Sequence, residues 1–252
     1  MKYYLDTEFI ECAKQRTLLG FKIGPSVPTI DLISLGMVCQ DGRELHLLNA
    51  ECELEYAWAN EWVRENVLLP IWHRYTPSAM KYHNVNPFSL AAMRRIFKEN
   101  GLSKQAITGE LCAFVFPLQF LADELNKVLT VKGCDVDGSF VRGPGVGEYY
   151  DRKEAIEWLQ YLKAPFEPSF YGYYCDYDWV VLCQLFGRMI DLPKGFPMYC
   201  LDLKQMMYER NLSKEWKQRV CPDPVGEHDA LVDAKWNKQL HENTQAHNPS
   251  DK

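Results

Sequence analysis

The chain has 252 residues, with 34 Asp and Glu against 28 Lys and Arg, a formal net charge of −6 and a pI near 5.6. That balance argues against a protein that coats nucleic acid through a broadly basic surface, since such binding neutralises many phosphates with Lys and Arg. It leaves open an enzyme that grips a nucleic acid locally. With 47% hydrophobic and 25% charged residues the composition is that of a globular protein with a sizeable core, and nine cysteines with no CxxC pair argue against a disulfide framework or zinc ribbon and for a reducing, cytoplasmic setting.

In chain order, residues 2–10 (KYYLDTEFI) are rich in aromatic and β-branched types and predict a first strand. The acids Asp6 and Glu8 interrupt any apolar run there, so no signal-peptide core is expected. Residues 11–28 carry Gly20, Gly24, Pro25 and Pro28 and read as a loop at the end of that strand. Strands follow at 29–39 and 43–49, joined by the turn signal Asp41-Gly42. From Glu55 to Leu69 the spacing of Trp58, Trp62, Val63 and Val67 predicts a helix that Pro70 stops. Residues 88–99 and 111–129 read as further helices; the apolar stretch Leu111–Ala122 contains Pro117 and is too short to span a bilayer. Residues 133–147 hold five glycines and read as a loop. Gly143 to Gly147 lacks the Lys-Ser/Thr of a phosphate-cradling P-loop. A helix is expected at 151–163, a strand at 170–175, a helix at 177–189, a short strand at 198–201, and helices at 202–210 and 229–242.

That order implies an α/β fold on a mixed sheet. The reading is a single domain over residues 1–242, with an extended helical insertion at about 71–165, and a flexible tail at 243–252.

Three segments carry chemistry. Asp6 and Glu8 lie two apart on a strand, so both carboxylates leave the same face. Two such acids repel unless a cation lies between them, and oxygen donors favour Mg²⁺ or Mn²⁺ over zinc; the alternative is a solvated edge strand. Asp176 and Asp178 sit at the start of a helix, where either acid suits the helix N-terminus; the functional alternative has Asp178 pointing across the end of the sheet toward Asp6. His228 precedes Asp233 by five residues, with Asp229 placed as a helix cap. Asp233 then falls among apolar neighbours, where an unpaired carboxylate is costly, and His228 suits a general base near neutral pH. A separate set, His73, Tyr75, Lys81, Tyr82, His83, Arg94, Arg95 and Lys98, combines charge with aromatic rings as a single-strand guide would, although a solvated helix face has the same composition. The tryptophans at 58, 62, 72, 158 and 179 read as core or interface.

Taken together, Asp-x-Glu on a first strand, aromatic-Asp-x3-Leu in mid-chain and His-x4-Asp on a C-terminal helix resemble the DEDDh 3′-to-5′ exonuclease superfamily on its RNase H-like fold. The segments YLDTEFIE (4–11), TIDLISLGMV (29–38), WVRENVLLP (62–70), YYCDYDWVVLCQLFGRMIDLP (173–193) and HDALVDAKW (228–236) are similar to the bacterial polyadenylate-specific 3′-exoribonucleases, the RNase AS group. This similarity covers residues 1–70 and 168–242.

The resemblance implies a metal-dependent 3′-to-5′ exoribonuclease that hydrolyses single-stranded RNA, with adenylate-rich 3′ ends favoured, to nucleoside 5′-monophosphates. Carried over by position, it makes Asp6, Glu8, Asp178 and Asp233 the carboxylates of two divalent cations and prefers Asp178 to Asp176. It makes His228 the general base and places Thr7 and Phe9 against the terminal nucleotide. It is compatible with a homodimer. The rival expectations are the same chemistry on single-stranded DNA and a non-catalytic nucleic-acid-binding module of the same fold.

Overall fold

The computed structural model describes residues 1–18, 21–77, 87–116, 140–142, 149–151 and 167–247. Its centre is a six-stranded mixed sheet built around two long strands, β1 (Lys2–Leu18) and β2 (Phe21–Cys39), which pair antiparallel. Strand β3 (Glu44–Asn49) pairs antiparallel with β2 across the Asp41-Gly42 turn, in which Gly42 has φ +94°. The short β4 (Gly101–Leu102) then adds parallel to β3. On the other side of β1, β7 (Ser169–Gly172) and β8 (Leu201–Asp202) run parallel to it, giving the order β4-β3-β2-β1-β7-β8. A two-stranded piece, β5 (Phe140–Arg142) with β6 (Tyr149–Asp151), is separate.

Helices cover both faces. In chain order they are α1 (Leu54–Ala59), α2 (61–75), α3 (Leu90–Asn100), α4 (Lys104–Val115), α5 (Asp176–Phe186), α6 (Leu203–Glu209), α7 (Lys214–Val220) and α8 (Ala230–Ala246). Strand alternation sends Tyr3 and Leu5 to one face, into a core with Leu111 and Val115 of α4 and Trp179 and Leu182 of α5. Tyr4 points to the other, against Leu203, Trp216, Trp236 and Leu240 of α6, α7 and α8, where its hydroxyl meets His241 Nδ1 at 2.8 Å.

A bulge between Glu8 and Phe9 lets Ile33 slip in as an extra residue on β2. The slip reverses parity, so Leu32 and Leu35 enter the first core while Ile33 packs with α2 and α3.

Helix α8 lies on β2 at very short range. A Cβ on Gly36 would stand 2.1 Å from the Ala230 carbonyl oxygen, so only glycine fits in IDLISLGMV at that position.

Several elements differ from the sequence expectation. Residues 11–28, read as a loop, are mostly a hairpin: β1 continues to Leu18 and β2 starts at Phe21. Ladder hydrogen bonds override the Gly and Pro signals, with Gly24 taking φ +76°. Pro70 does not stop its helix. A π-helical turn, Arg64–Leu68, precedes it and sends the Leu69 N–H to the Arg64 carbonyl, one residue further back than an α-helical bond, and this wider turn lets Pro70 lie within the helix.

Helix α7 was not expected, and the 111–129 helix is instead α4 from Lys104, its part beyond residue 116 lying outside the described residues, as do the 151–163 helix and most of the 133–147 loop. The last helix extends through residues 243–246, expected as tail, and buries Thr244. Within the middle of the chain, α3, β4 and α4 are built into the fold: β4 extends the sheet, and the Tyr3 hydroxyl donates to the Val115 carbonyl at 2.8 Å.

Candidate active site

One cavity of about 610 Å³ opens over the first half of β1, and Asp6, Thr7, Glu8, Phe9, Asp178, His228 and Asp233 all line it. All seven positions singled out in the sequence therefore meet at one place, drawn from three distant segments. Each is fixed differently.

Asp6 and Glu8 leave β1 on the α8 side, following Tyr4. The Leu5 carbonyl accepts a hydrogen bond from Asn237 Nδ2 at 2.9 Å, which ties α8 to the strand just before Asp6. Asp178 stands in the first turn of α5. That turn is pinned by the Cys175 N–H, which donates to Asp202 Oδ2 at 2.9 Å. The Thr7 N–H and hydroxyl both donate to Asp178 Oδ1, at 2.8 and 2.6 Å. Thr7 thus orients a carboxylate through its backbone and its side chain. Phe9 stacks on Tyr177, with ring centroids 5.8 Å apart, and also packs against the core. Asp176 does not line the cavity, and Asp178 does.

The loop before α8 is the most constrained part of the wall. His228 has φ +66°, a conformation a histidine holds only under external support. Its N–H donates to Asp233 Oδ2 at 2.7 Å. Asp229 caps α8 by accepting from the Leu231 and Val232 N–H groups. Arg74, at the end of α2, clamps the same carboxylate with two bonds, Nε to Oδ2 at 2.8 Å and Nη2 to Oδ1 at 2.5 Å. Upstream, Trp236 Nε1 donates to the Pro222 carbonyl at 2.9 Å. The His228 ring meets the edge of Trp62, 4.9 Å between centroids.

The sequence reads Trp62 as core or interface and does not mark Arg74. Trp62 is instead 55% exposed and lines the cavity. No local signal marks either residue; both gain their place from the way α2 lies across the loop.

Electrostatically the site is overloaded with negative charge. Glu8 and Asp178 are buried, Asp6 and Asp233 half-buried, and no Lys or Arg among the described residues pairs with any of the four. Burial, followed by the repulsion of Asp178 and Glu8, pushes the Asp6 carboxyl well above the usual range. Burial and then Asp233 do the same to Glu8. Burial lifts Asp178 to about 6 despite the two Thr7 bonds, which pull the other way. It lifts Asp233 to about 7, with the His228 N–H opposing and Glu227 adding repulsion.

Among neighbouring charges, Asp178 repels Asp6 most and Asp233 repels Glu8 most, and donor atoms of Glu8, His228 and Asp233 lie within 4.8 Å of one another. A donor set of four carboxylates that no Lys or Arg among the described residues ion-pairs fits hard divalent cations. No helix among the described residues is long and apolar enough to cross a membrane.

No protein-family model matches the chain. Two curated relatives do: the 3′-5′ exoribonucleases of Mycobacterium tuberculosis strains CDC 1551 / Oshkosh and H37Rv. Each is 27% identical to this chain over 237 residues, a match spanning 93% of this chain and 88% of the relative. That span runs through the middle of the chain as well as the motif-bearing ends, so this chain is similar to those two proteins along nearly its whole length.

Proposed function

We propose that this protein is a metal-dependent 3′-to-5′ exoribonuclease of the DEDDh type, close to the RNase AS group, acting on single-stranded RNA with a preference for adenylate-rich 3′ ends. The observation that carries the reading is the convergence of Asp6, Glu8, Asp178, Asp233 and His228 on one cavity where four carboxylates have no cationic partner among the described residues. The names of the two mycobacterial relatives agree with it.

Asp6, Glu8, Asp178 and Asp233 are the carboxylates that would hold two divalent cations, Mg²⁺ or Mn²⁺. Bound there, such cations supply the positive charge that offsets the scissile phosphate and its leaving 3′-oxygen. The residues of the chain do the rest. Thr7 orients Asp178 through its two hydrogen bonds and opposes the upward push of burial on its pKa. The His228 imidazole accepts a proton from the attacking water, and the Asp233 and Arg74–Asp229 bonds hold its backbone in place. Trp62 packs against the ring at 4.9 Å between centroids and restricts where it can turn. Thr7 and Phe9 face the terminal nucleotide, and stepwise hydrolysis releases nucleoside 5′-monophosphates.

The test is mass analysis of products from 5′-labelled RNA and DNA oligomers with varied 3′ sequences, with Mg²⁺ or Mn²⁺ and with chelator. Stepwise release of nucleoside 5′-monophosphates from RNA, abolished by chelator, is expected. Degradation of single-stranded DNA as fast as RNA would sink the ribonuclease assignment.

A further inference from the structure

The same cavity has a second, basic side. Lys204, Lys214 and Lys217 line it together with Tyr173, Tyr174, Asp223 and Trp236. The lysines come from α6 and α7, which follow the edge strand β8, whereas Trp62 closes the cavity from α2 on the β2 side. The carboxylates of β1 and α5 therefore stand between an aromatic wall and a lysine wall.

The three lysines are not equivalent. Lys217 is 6% exposed, reaches Asp223 Oδ1 at 2.5 Å and lies over the rings of Trp236 and Tyr173 at 4.8 and 5.4 Å. Its charge is already matched, and it serves as a prop holding the wall and the 221–229 loop. Lys204 and Lys214 make no ion pair with any described acid, although 34 acids outnumber 28 bases in the chain. Half-buried Lys204 and exposed Lys214, the latter attracted by its helix neighbour Glu215, thus bring to the cavity two ammonium groups that form no ion pair with a described acid.

Beside them Tyr174 is 62% exposed and held at φ +57°, a strained conformation for a tyrosine. Its ring meets Tyr173 edge-on at 4.7 Å between centroids. Ammonium groups next to an exposed aromatic face are the elements of a single-strand track.

We propose that Lys204 and Lys214 bind the backbone phosphates, and Tyr174 stacks a base, of the nucleotides upstream of the scissile bond. This subsite rests on the nuclease reading above only for its substrate class, since the recognised chemistry is that of a single-stranded polynucleotide. It gives the cavity a polarity: the 3′-terminal nucleotide lies on the Thr7 and Phe9 side, and the body of the strand leaves over α6 and α7.

The experiment is fluorescence anisotropy of a labelled mixed-sequence decanucleotide RNA with the full chain in EDTA, so that binding is read without cleavage, across a range of salt. In wild type, log K falls with log salt, by about 0.7 per phosphate contact for a single strand. The double variant Lys204→Gln/Lys214→Gln is expected to flatten that slope by about 1.4 and to weaken binding at low salt. Tyr174→Leu is expected to weaken binding by about 5-fold or more with the slope unchanged. Lys194→Gln, at an exposed lysine outside the cavity, controls for general charge loss, and matching thermal melts establish that the variants fold.

A double variant with the wild-type slope and affinity overturns the subsite. Lysine-dependent binding by a wild-type protein that releases no nucleotide with Mg²⁺ or Mn²⁺ supports the subsite and defeats the nuclease reading. Cleavage whose KM on the decanucleotide ignores both lysines defeats the subsite alone.

Discussion

Replacing Gly36 with alanine is a small change with a calculable consequence. The added Cβ stands 2.1 Å from the Ala230 carbonyl oxygen, 2.2 Å from its carbon and 2.4 Å from the Leu231 nitrogen. Ordinary contact starts near 3.4 Å, so β2 and the first turn of α8 must part by about 1.3 Å. All three atoms are backbone, and no side chain can swing away to make room.

Overpacking of this kind costs about 1–3 kcal/mol, which a domain of this size survives. The displaced turn, however, directly follows His228 and contains Asp233. A misplacement of about 1 Å in catalytic groups costs on the order of 100-fold in rate. Gly36→Ala is therefore expected to stay folded, with a melting point lowered by a few degrees, while kcat on single-stranded RNA falls about 100-fold. Paired thermal melts and single-turnover RNA cleavage check this. A variant that keeps activity within about twofold would refute the claim that the Gly36 contact sets the position of the His228 and Asp233 pair.

Other expectations follow from the same geometry. Arg74→Met leaves the largely buried Asp229 carboxylate without its clamp, which should cost about 1–3 kcal/mol in a chemical melt and lower kcat more than it raises KM, because the His228 loop loosens. Thr7→Val removes the hydroxyl bond to Asp178 while keeping side-chain volume. That bond lowers the Asp178 pKa, so its loss raises the pKa and weakens Mn²⁺ binding more at pH 6 than at pH 8, as measured by isothermal titration calorimetry. In chelator, Asp178 at about 6 and Asp233 at about 7 both lie above their ordinary 3.8. The folded chain then holds these protons more tightly than the unfolded one, so stability falls as pH rises from about 4 to 7. Melting points in EDTA should drop over that window, and added Mg²⁺ should remove the drop; a flat profile would contradict the burial of these carboxyls, which raises both pKa values.

The residues that meet in the cavity were more legible in the sequence than the bounds of several elements around them. Asp6 and Glu8 could be paired because strand periodicity is strict, and His228 and Asp233 because a cap followed by a helix fixes their spacing. The 11–28 segment was misread because Gly and Pro are weighed locally, while the long β1 to β2 ladder is a tertiary effect. Pro70 was misread for a similar reason: the π turn that shelters it has no signature of its own. Arg74, Trp62 and the lysines at 204 and 214 stayed hidden because each lies far in sequence from the acids it adjoins. Gly36 shows the reverse case. It was quoted within a motif, yet its physical reason, the approach of Ala230, emerged only from the packing of α8 on β2.

The most direct test of the central claim is to titrate chelator-treated protein with Mn²⁺, following binding by calorimetry and cleavage of one labelled RNA in the same samples. The account predicts two binding events, activity that rises with their occupancy, and loss of both in Asp6→Asn and Asp233→Asn. Full cleavage in chelator, or undiminished cleavage by Asp6→Asn, would contradict it.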